Sequence, residues 1–275
     1  MKGSIHMSVQ PRKFAAVVLA GDRGPDDPVA AAAGVCGKAL VPVGGRPMVL
    51  RVLDALGASG AVDSRLVCGS SSRLLERQPE LAAMVAAGSV KWVENASSPS
   101  LSALSALATL PEEQPVLLTT ADHALLTPQM VEFFCTGAAE TGCDVVAGLV
   151  SAELVRNAFP ENRRTVTRLR NGSYCGCNLF AFLTPRGRRA AAFWRSIEAS
   201  RKKPLKIVSS LGVFAVLRYL LGRLTLEQGL DRLSAAMGAR AGAVWMPEAE
   251  TAVDVDSIAD WQLVEKILQV RRQNA

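Results

Sequence analysis

Two basic and three acidic residues stand just beyond apolar runs, where an α/β protein keeps its chemistry. Arg23 and Lys38 follow FAAVVLA (Phe14 to Ala20) in a loop punctuated by Gly21, Gly24, Gly34 and Gly37. Asp122 closes the run PVLLTT, with His123 beside it, and Asp254 and Asp256 sit two apart in TAVDVD. A guanidinium is a fork for phosphate oxygens, an ammonium a point charge, and carboxylates are hard oxygen ligands suited to Mg2+. On an extended segment Asp254 and Asp256 share a face, so one ion could use either. These residue types suit phosphoryl-type transfer, where positioning and charge neutralisation supply most of the rate.

The spacing excludes the two commonest phosphate loops. A dinucleotide fingerprint needs GxGxxG and a P-loop needs GxxxxGK[ST], but Gly37-Lys38 is followed by Ala39 and the other glycines sit at the wrong offsets. Backbone amides of Leu19, Ala20, Gly21, Asp22, Arg23 and Gly24 can still approach a nucleotide, because glycine has no Cβ to obstruct it. The structural alternatives are solvated loop charges at Arg23 and Lys38 and a turn-capping carboxylate at Asp122.

The elements that must position these residues alternate. Apolar runs at Phe14–Ala20, Arg65–Gly69, Val90–Glu94, Pro115–Thr120 and in DVVAGLV read as strands. Helices are expected between them, two announced by a cap followed by proline, Ser98-Pro99 and Thr127-Pro128. This order predicts an α/β, three-layer, mostly parallel sheet flanked by helices, of the GT-A or Rossmann-like kind, with ligands beyond the carboxyl ends of the strands. After residue 150, Asn171-Gly172 between alternating runs predicts a hairpin. Residues 185–240 read as a helical insertion, then AGAVWM as a last strand and a closing helix capped by Ser257, with Asp260 as a first-turn charge. The expected organisation is one domain over 13–275, with 1–12 a disordered N-terminus or an expression remnant.

Composition limits the function classes. With 49% hydrophobic and 20% charged residues among 275, the chain can build a sizeable core. Lys and Arg outnumber Asp and Glu by 31 to 25, which favours anionic small molecules without the density of a nucleic-acid binder. The six cysteines form no CxxC pair and Cys175-Gly-Cys177 lacks a second half for zinc, so they read as reduced core thiols of a cytoplasmic protein.

The ordered signature LAG-x-R-G, GKAL-x-PVGG-x-PM, LLTTADHALLTP, YCGCNLFAF and AVDVDSIADWQLVE resembles the MobA-like nucleotidyltransferases. The first 180 residues and the last 25 or so carry the likeness. Ala124 replaces a usual proline, Ser257 a threonine and Trp261 a leucine. The resemblance implies an Mg2+-dependent nucleotidyltransferase that moves NMP from an NTP, CTP or GTP favoured, to a phosphorylated small-molecule acceptor with release of pyrophosphate. It implies Arg23 on the β/γ-phosphates, Lys38 on the α-phosphate and leaving group, and Asp122 with Asp254 or Asp256 on the metal. Ser98 and Ser100 would meet the base, and His123 and Asn178 the acceptor. A catalytically inactive nucleotide-binding or regulatory protein on the same fold is the alternative.

From Arg186 to Lys206 eight basic residues accompany one acid, Glu198, and the apolar stretch Leu205–Gly222 follows. This segment is either a solvated face or a peripheral contact with an anionic membrane, the latter implying a phosphorylated lipid head-group precursor as acceptor. The apolar helix could pack on the sheet, on lipid or on a second copy, so the chain is read as a monomer or a homodimer.

Overall fold

The computed structural model describes residues 12–21, 27–70, 72–162, 164–199 and 212–273. The strands are β1 (Phe14–Ala20), β2 (Pro42–Val43), β3 (Arg46–Pro47), β4 (Val62–Gly69), β5 (Lys91–Glu94), β6 (Val116–Thr120), β7 (Val145–Ser151), β8 (Thr167–Leu169), β9 (Gly172–Phe182) and β10 (Ala241–Trp245). Eight of them form one sheet in the order β10-β7-β9-β6-β1-β4-β5, with β8 paired to β9. Only β9 runs against the rest. The carboxyl ends of β1, β4, β6 and β7 therefore open on one edge, as the alternating pattern predicts.

The continuous apolar run of β1 has a simple cause: both its faces are covered. Phe14, Ala16, Val18 and Ala20 join a core with Val49, Leu53 and Leu56 of helix α2 (Met48–Ala58) and Val131 and Phe134 of α6 (Pro128–Glu140). Ala15, Val17 and Leu19 face Ala103, Ala106 and Leu107 of α5 (Pro99–Ala108) and Ala191 of α8 (Arg189–Ala199). Period-two alternation sends successive side chains to opposite layers, and both layers are dry.

The cap expectations hold. Ser98 accepts the amide of Leu101, Thr127 accepts that of Met130, and Pro99 and Pro128 open their helices. Other elements are absent from the sequence reading: α1 (Pro28–Ala32), a 3-10 turn at Lys38–Leu40, the β2–β3 ladder and α7 (Ala152–Ala158). The stretch LLERQPELAAMVAAG divides into α3 (Ser72–Arg77) and α4 (Pro79–Ala86), because Pro79 can open a helix but not continue one. The hairpin forms one residue earlier than expected. Leu169 pairs with Gly172, so Arg170 and Asn171 make the turn.

Gly44 and Gly45 have a structural reason of their own. Val43 pairs with Arg46, and the two glycines between them have φ of 59° and 78°, the left-handed pair of a two-residue hairpin. The closing helix (Ile258–Gln273) clamps this turn. Glu265 accepts the Gly44 amide at 2.8 Å, and the Trp261 indole N–H donates to the Pro42 carbonyl at 2.9 Å.

The 185–240 segment contains α8 and two further described helices, Val213–Leu220 and Leu226–Met237. Arg188 is engaged within the fold. Its guanidinium donates to the carbonyls of Leu107 (2.9 Å), Leu110 (3.0 Å) and Gln114 (3.2 Å), a cation at the carboxyl end of α5. Residues 201–206, which carry Arg201, Lys202, Lys203 and Lys206, lie outside the described residues, as does the first half of the Leu205–Gly222 stretch.

One carboxylate pins three strand ends. Asp144, just before β7, accepts the Arg240 amide at 2.7 Å and the Thr184 hydroxyl at 2.8 Å, while its carbonyl accepts the Leu183 amide. Burial pushes its pKa up, but the Arg240 amide and Thr184 hydroxyl outweigh that and hold it below the usual value. A depressed carboxyl stabilises the fold above its ordinary titration range, and the contribution is lost as pH falls through the folded value. Asp144→Asn is therefore expected to lower the thermal midpoint by several degrees near pH 7 and progressively less as pH falls below the ordinary carboxylate range. Calorimetry across that range checks it, and an equal loss at both ends would remove the charge from the explanation.

Candidate active site

The site gathers at the carboxyl edge of β1 and β6. The amide of Ala121 donates to Leu19 O at 3.0 Å, and that of Val255 to Asp122 O at 3.1 Å. These two backbone bonds draw the first loop, the end of β6 and the segment 253–256 together across the whole length of the sequence.

Lys38 is at the centre. It is 6% exposed, and its Nζ lies 2.7 Å from Asp122 Oδ2 and 2.6 Å from Asp256 Oδ1. Burial pulls the ammonium pKa down, but the two carboxylates more than reverse this, so the group is charged. Thr120 Oγ1 donates to the other oxygen of Asp122. The solvated-loop alternative thus fails for Lys38, and turn-capping does not describe Asp122.

Asp254 and Asp256 are divided between two cations rather than sharing one. Asp254 accepts the Arg164 guanidinium through Oδ1 and the Asn178 amide at 3.0 Å through Oδ2. Arg164 also donates to the Asp254 carbonyl at 3.0 Å and to Asp260 Oδ1 at 2.8 Å. Burial, and then repulsion from Asp122 and Asp256, push the Asp254 carboxyl up despite Arg164. Three carboxylates thus lie within Coulombic reach of one another at this edge, with Lys38 and Arg164 as their cations among the described residues.

Asn178 has φ +50°, the only positive value among described residues other than glycine. It coincides with a register irregularity between β7 and β9, where Ala147 pairs with Phe180 and Leu149 with Gly176. Asparagine tolerates the left-handed region better than most residues, and here the twist turns its amide towards Asp254.

Several expected contacts are placed differently. His123 is 1% exposed, its Nδ1 3.5 Å from Thr119 Oγ1, and burial pulls its pKa down to about 4. It is a neutral core residue rather than part of an open acceptor surface. Ser98 and Ser100 both donate to Glu198 of α8, Ser98 Oγ at 2.8 Å. Asp260 is 8% exposed and accepts from Arg164, Asn162 and Ser257, so it is a junction of the closing helix more than a dipole charge. Asp22, Arg23 and Gly24 lie outside the described residues.

Gly21 is informative by what surrounds it. It does not have positive φ, and a Cβ there would meet nothing nearer than Asn95 Nδ2 at 3.8 Å. Among the described residues neither backbone strain nor packing demands a glycine at the end of β1.

The sequence reading missed Arg164 and Glu198 as partners of the site. Arg164 sits in an irregular segment 90 residues from Asp254, with no periodicity or motif to mark it. Glu198 carried one signal, as the single acid in a basic run.

A buried lysine between carboxylates, at the carboxyl edge of a mostly parallel three-layer sheet with one reversed strand, is the arrangement expected from the resemblance to GT-A-type nucleotidyltransferases. Comparisons with known proteins agree. The model of the MobA-like NTP transferase domain matches residues 16–241, and the chain belongs to that family. The match runs through the 185–240 segment, which the motifs alone had placed outside the likeness, and stops short of Asp254 and Asp256.

A hypothetical transferase from Thermus thermophilus is 32% identical, with TM-score 0.73, covering 90% of this chain and 99% of that one. Two more distant structures share the fold. One is 4-diphosphocytidyl-2C-methyl-D-erythritol synthase from Anaerococcus prevotii, at 13% identity and TM-score 0.56 over 94% and 96% of the two chains. The other is CMP:2-keto-3-deoxy-manno-octonic acid synthetase complexed with CTP, at 16% and 0.58 over 94% and 99%. No curated protein matches the chain in sequence.

Proposed function

We propose that the enzyme transfers NMP from an NTP to a phosphorylated small-molecule acceptor and releases pyrophosphate, with Mg2+ as cofactor. The observation that carries this reading is the Lys38 ammonium held between Asp122 and Asp256 beside the end of β1. An acceptor phosphate oxygen attacks the α-phosphorus, and the bond from that phosphorus to the bridging oxygen breaks. In this reading Lys38 meets the charge that builds on the leaving pyrophosphate, and Arg23, as the resemblance implies, meets the β/γ-phosphates. The unforced glycine at 21 leaves room for a phosphate or ribose against the backbone.

The donor set fits Mg2+. Among the described residues no three acidic, His or Cys side chains converge into a ready-made metal cage. Mg2+ is ordinarily held by one or two carboxylates plus substrate phosphates, and Asp122 and Asp256 already converge on a cationic atom. Those two would hold the ion, with Asp254 kept in second place by Arg164 and Asn178. Bound there, it would supply charge neutralisation for the substrate phosphates. CTP is the favoured donor, since two structures of the same fold are described in terms of cytidine nucleotides.

Pyrophosphate release from CTP, GTP, UTP and ATP, each with a panel of phosphorylated alcohols and sugars, tests the reading. Release with one NTP and one acceptor, lost in Asp122→Asn, is the expected result. Absence of Mg2+-dependent binding to any NTP by calorimetry would overturn it.

A further inference from the structure

The segment that carries Asp122 is a pair of reverse turns sharing His123. The His123 amide donates to Thr120 O at 3.3 Å and the Leu126 amide to His123 O at 3.1 Å, so Asp122 lies in the first turn and Ala124 in the second. Two of its carbonyls are held from outside. Asp122 O accepts the Val255 amide at 3.1 Å, and Ala124 O accepts Nε of Arg51, from the start of α2, at 3.0 Å. The turn adds little stiffness of its own at the second anchor. Ala124 is the second residue of its turn, with a negative φ and an amide that makes no hydrogen bond among the described residues. Proline would pre-set φ there, whereas alanine leaves the turn to be fixed through its carbonyl.

Electrostatics does not favour an arginine at position 51. The residue is half-buried, and burial, then repulsion from Arg271 and Arg272, pull its pKa down, with Asp54 and Glu265 offsetting this only in part. The crowding shows at Gly44, where a Cβ would lie 2.9 Å from Arg272 Nη2 and 3.6 Å from Arg51 Nη1. Among the described residues Arg51 forms no ion pair, and its one hydrogen bond is that from Nε to Ala124 O. A neutral side chain of similar length would fill the place with less repulsion. What the arginine contributes is the bond to the turn.

We propose that Arg51 is a positioning residue for Asp122, acting through the Ala124 carbonyl. The inference rests on the reading of Asp122 as a carboxylate that meets Mg2+ and substrate phosphates. Arg51→Met keeps the apolar stem and removes the bond. Hydrogen–deuterium exchange at the Leu126 and Val255 amides is then expected to quicken about tenfold, with the amides of β1 unchanged. Mg2+ binding without nucleotide is expected to weaken about tenfold in calorimetry. At saturating Mg2+, kcat for pyrophosphate release is expected to fall about tenfold, with KM for the NTP within about twofold. Arg51→Lys still offers an N–H to that carbonyl and should stay within about threefold of the wild type in each measurement. Ala124→Pro added to Arg51→Met should restore part of the loss by stiffening the turn. Proline adds atoms at a buried position, so the lysine variant decides if that double variant does not fold. A wild-type exchange pattern in Arg51→Met overturns the anchoring whether or not the enzyme turns over. Quickened exchange with wild-type kcat and Mg2+ affinity overturns the link to Asp122. A loss in Arg51→Lys as large as in Arg51→Met overturns the role of the bond and leaves only packing. A wild type that neither binds an NTP nor releases pyrophosphate overturns the transfer reading, and this proposal with it.

Discussion

Lys38→Met is expected to lower pyrophosphate release by about 10²–10³-fold while the protein stays folded. The ammonium touches both Asp122 and Asp256, and methionine keeps the stem that fills its buried place. The cost to stability is about 2 kcal/mol, set by Asp122, whose side chain is 20% exposed and loses its cation, while water can take up the charge of the 46% exposed Asp256. Lys38→Arg should not restore activity, since a planar fork cannot sit as a point between two carboxylates. A second readout separates a chemical role from a structural one. With the ammonium gone, the carboxylates face each other unneutralised, so Mg2+ binding without nucleotide should tighten in calorimetry. Unchanged turnover together with unchanged metal affinity would reduce Lys38 to a packing residue.

Arg164→Met is expected to give the largest loss of stability, about 3 kcal/mol by urea unfolding. Arg164 is buried, and it neutralises Asp254 and Asp260, whose side chains are 24% and 11% exposed. Burial already disfavours the Asp254 carboxylate with Arg164 present, and without it two carboxylates remain in a poorly solvated place. Arg164→Met/Asp254→Asn should recover part of the loss, because one of the stranded charges is removed. If the double variant is as unstable as the two single losses added together, the pair is not coupled and the explanation fails.

How far the sequence revealed this site depended on the range of the interaction. Strands buried on both faces and helices with a cap-proline start are local signals, and β1, β6, α5 and α6 lie close to where those signals put them. Lys38, Asp122 and Asp256 were legible as chemistry because each stands just past an apolar run. Their convergence was not, because it rests on backbone bonds between distant segments. The division of Asp254 from Asp256 was hidden for the same reason: two-residue spacing gives a shared face, but Arg164 arrives from an irregular segment. The central position of β9 was equally silent, since a hairpin signal does not say which neighbours its second strand will find.

The reversed strand β9 also sets an order of events in time. β7 and β10 join the other half of the sheet only through β9, so that half cannot register until residues beyond 172 are in hand. Lys38 and Asp256 are 218 residues apart, and their meeting waits on the bond from Val255 to Asp122. Such long-range closure is slow and comes late in folding. A nascent chain can therefore shape its first βα units early and still have no ion pair at Lys38. The Lys38 ion pair comes into being only as the last segment docks, so partly made chains lack the centre of the proposed site.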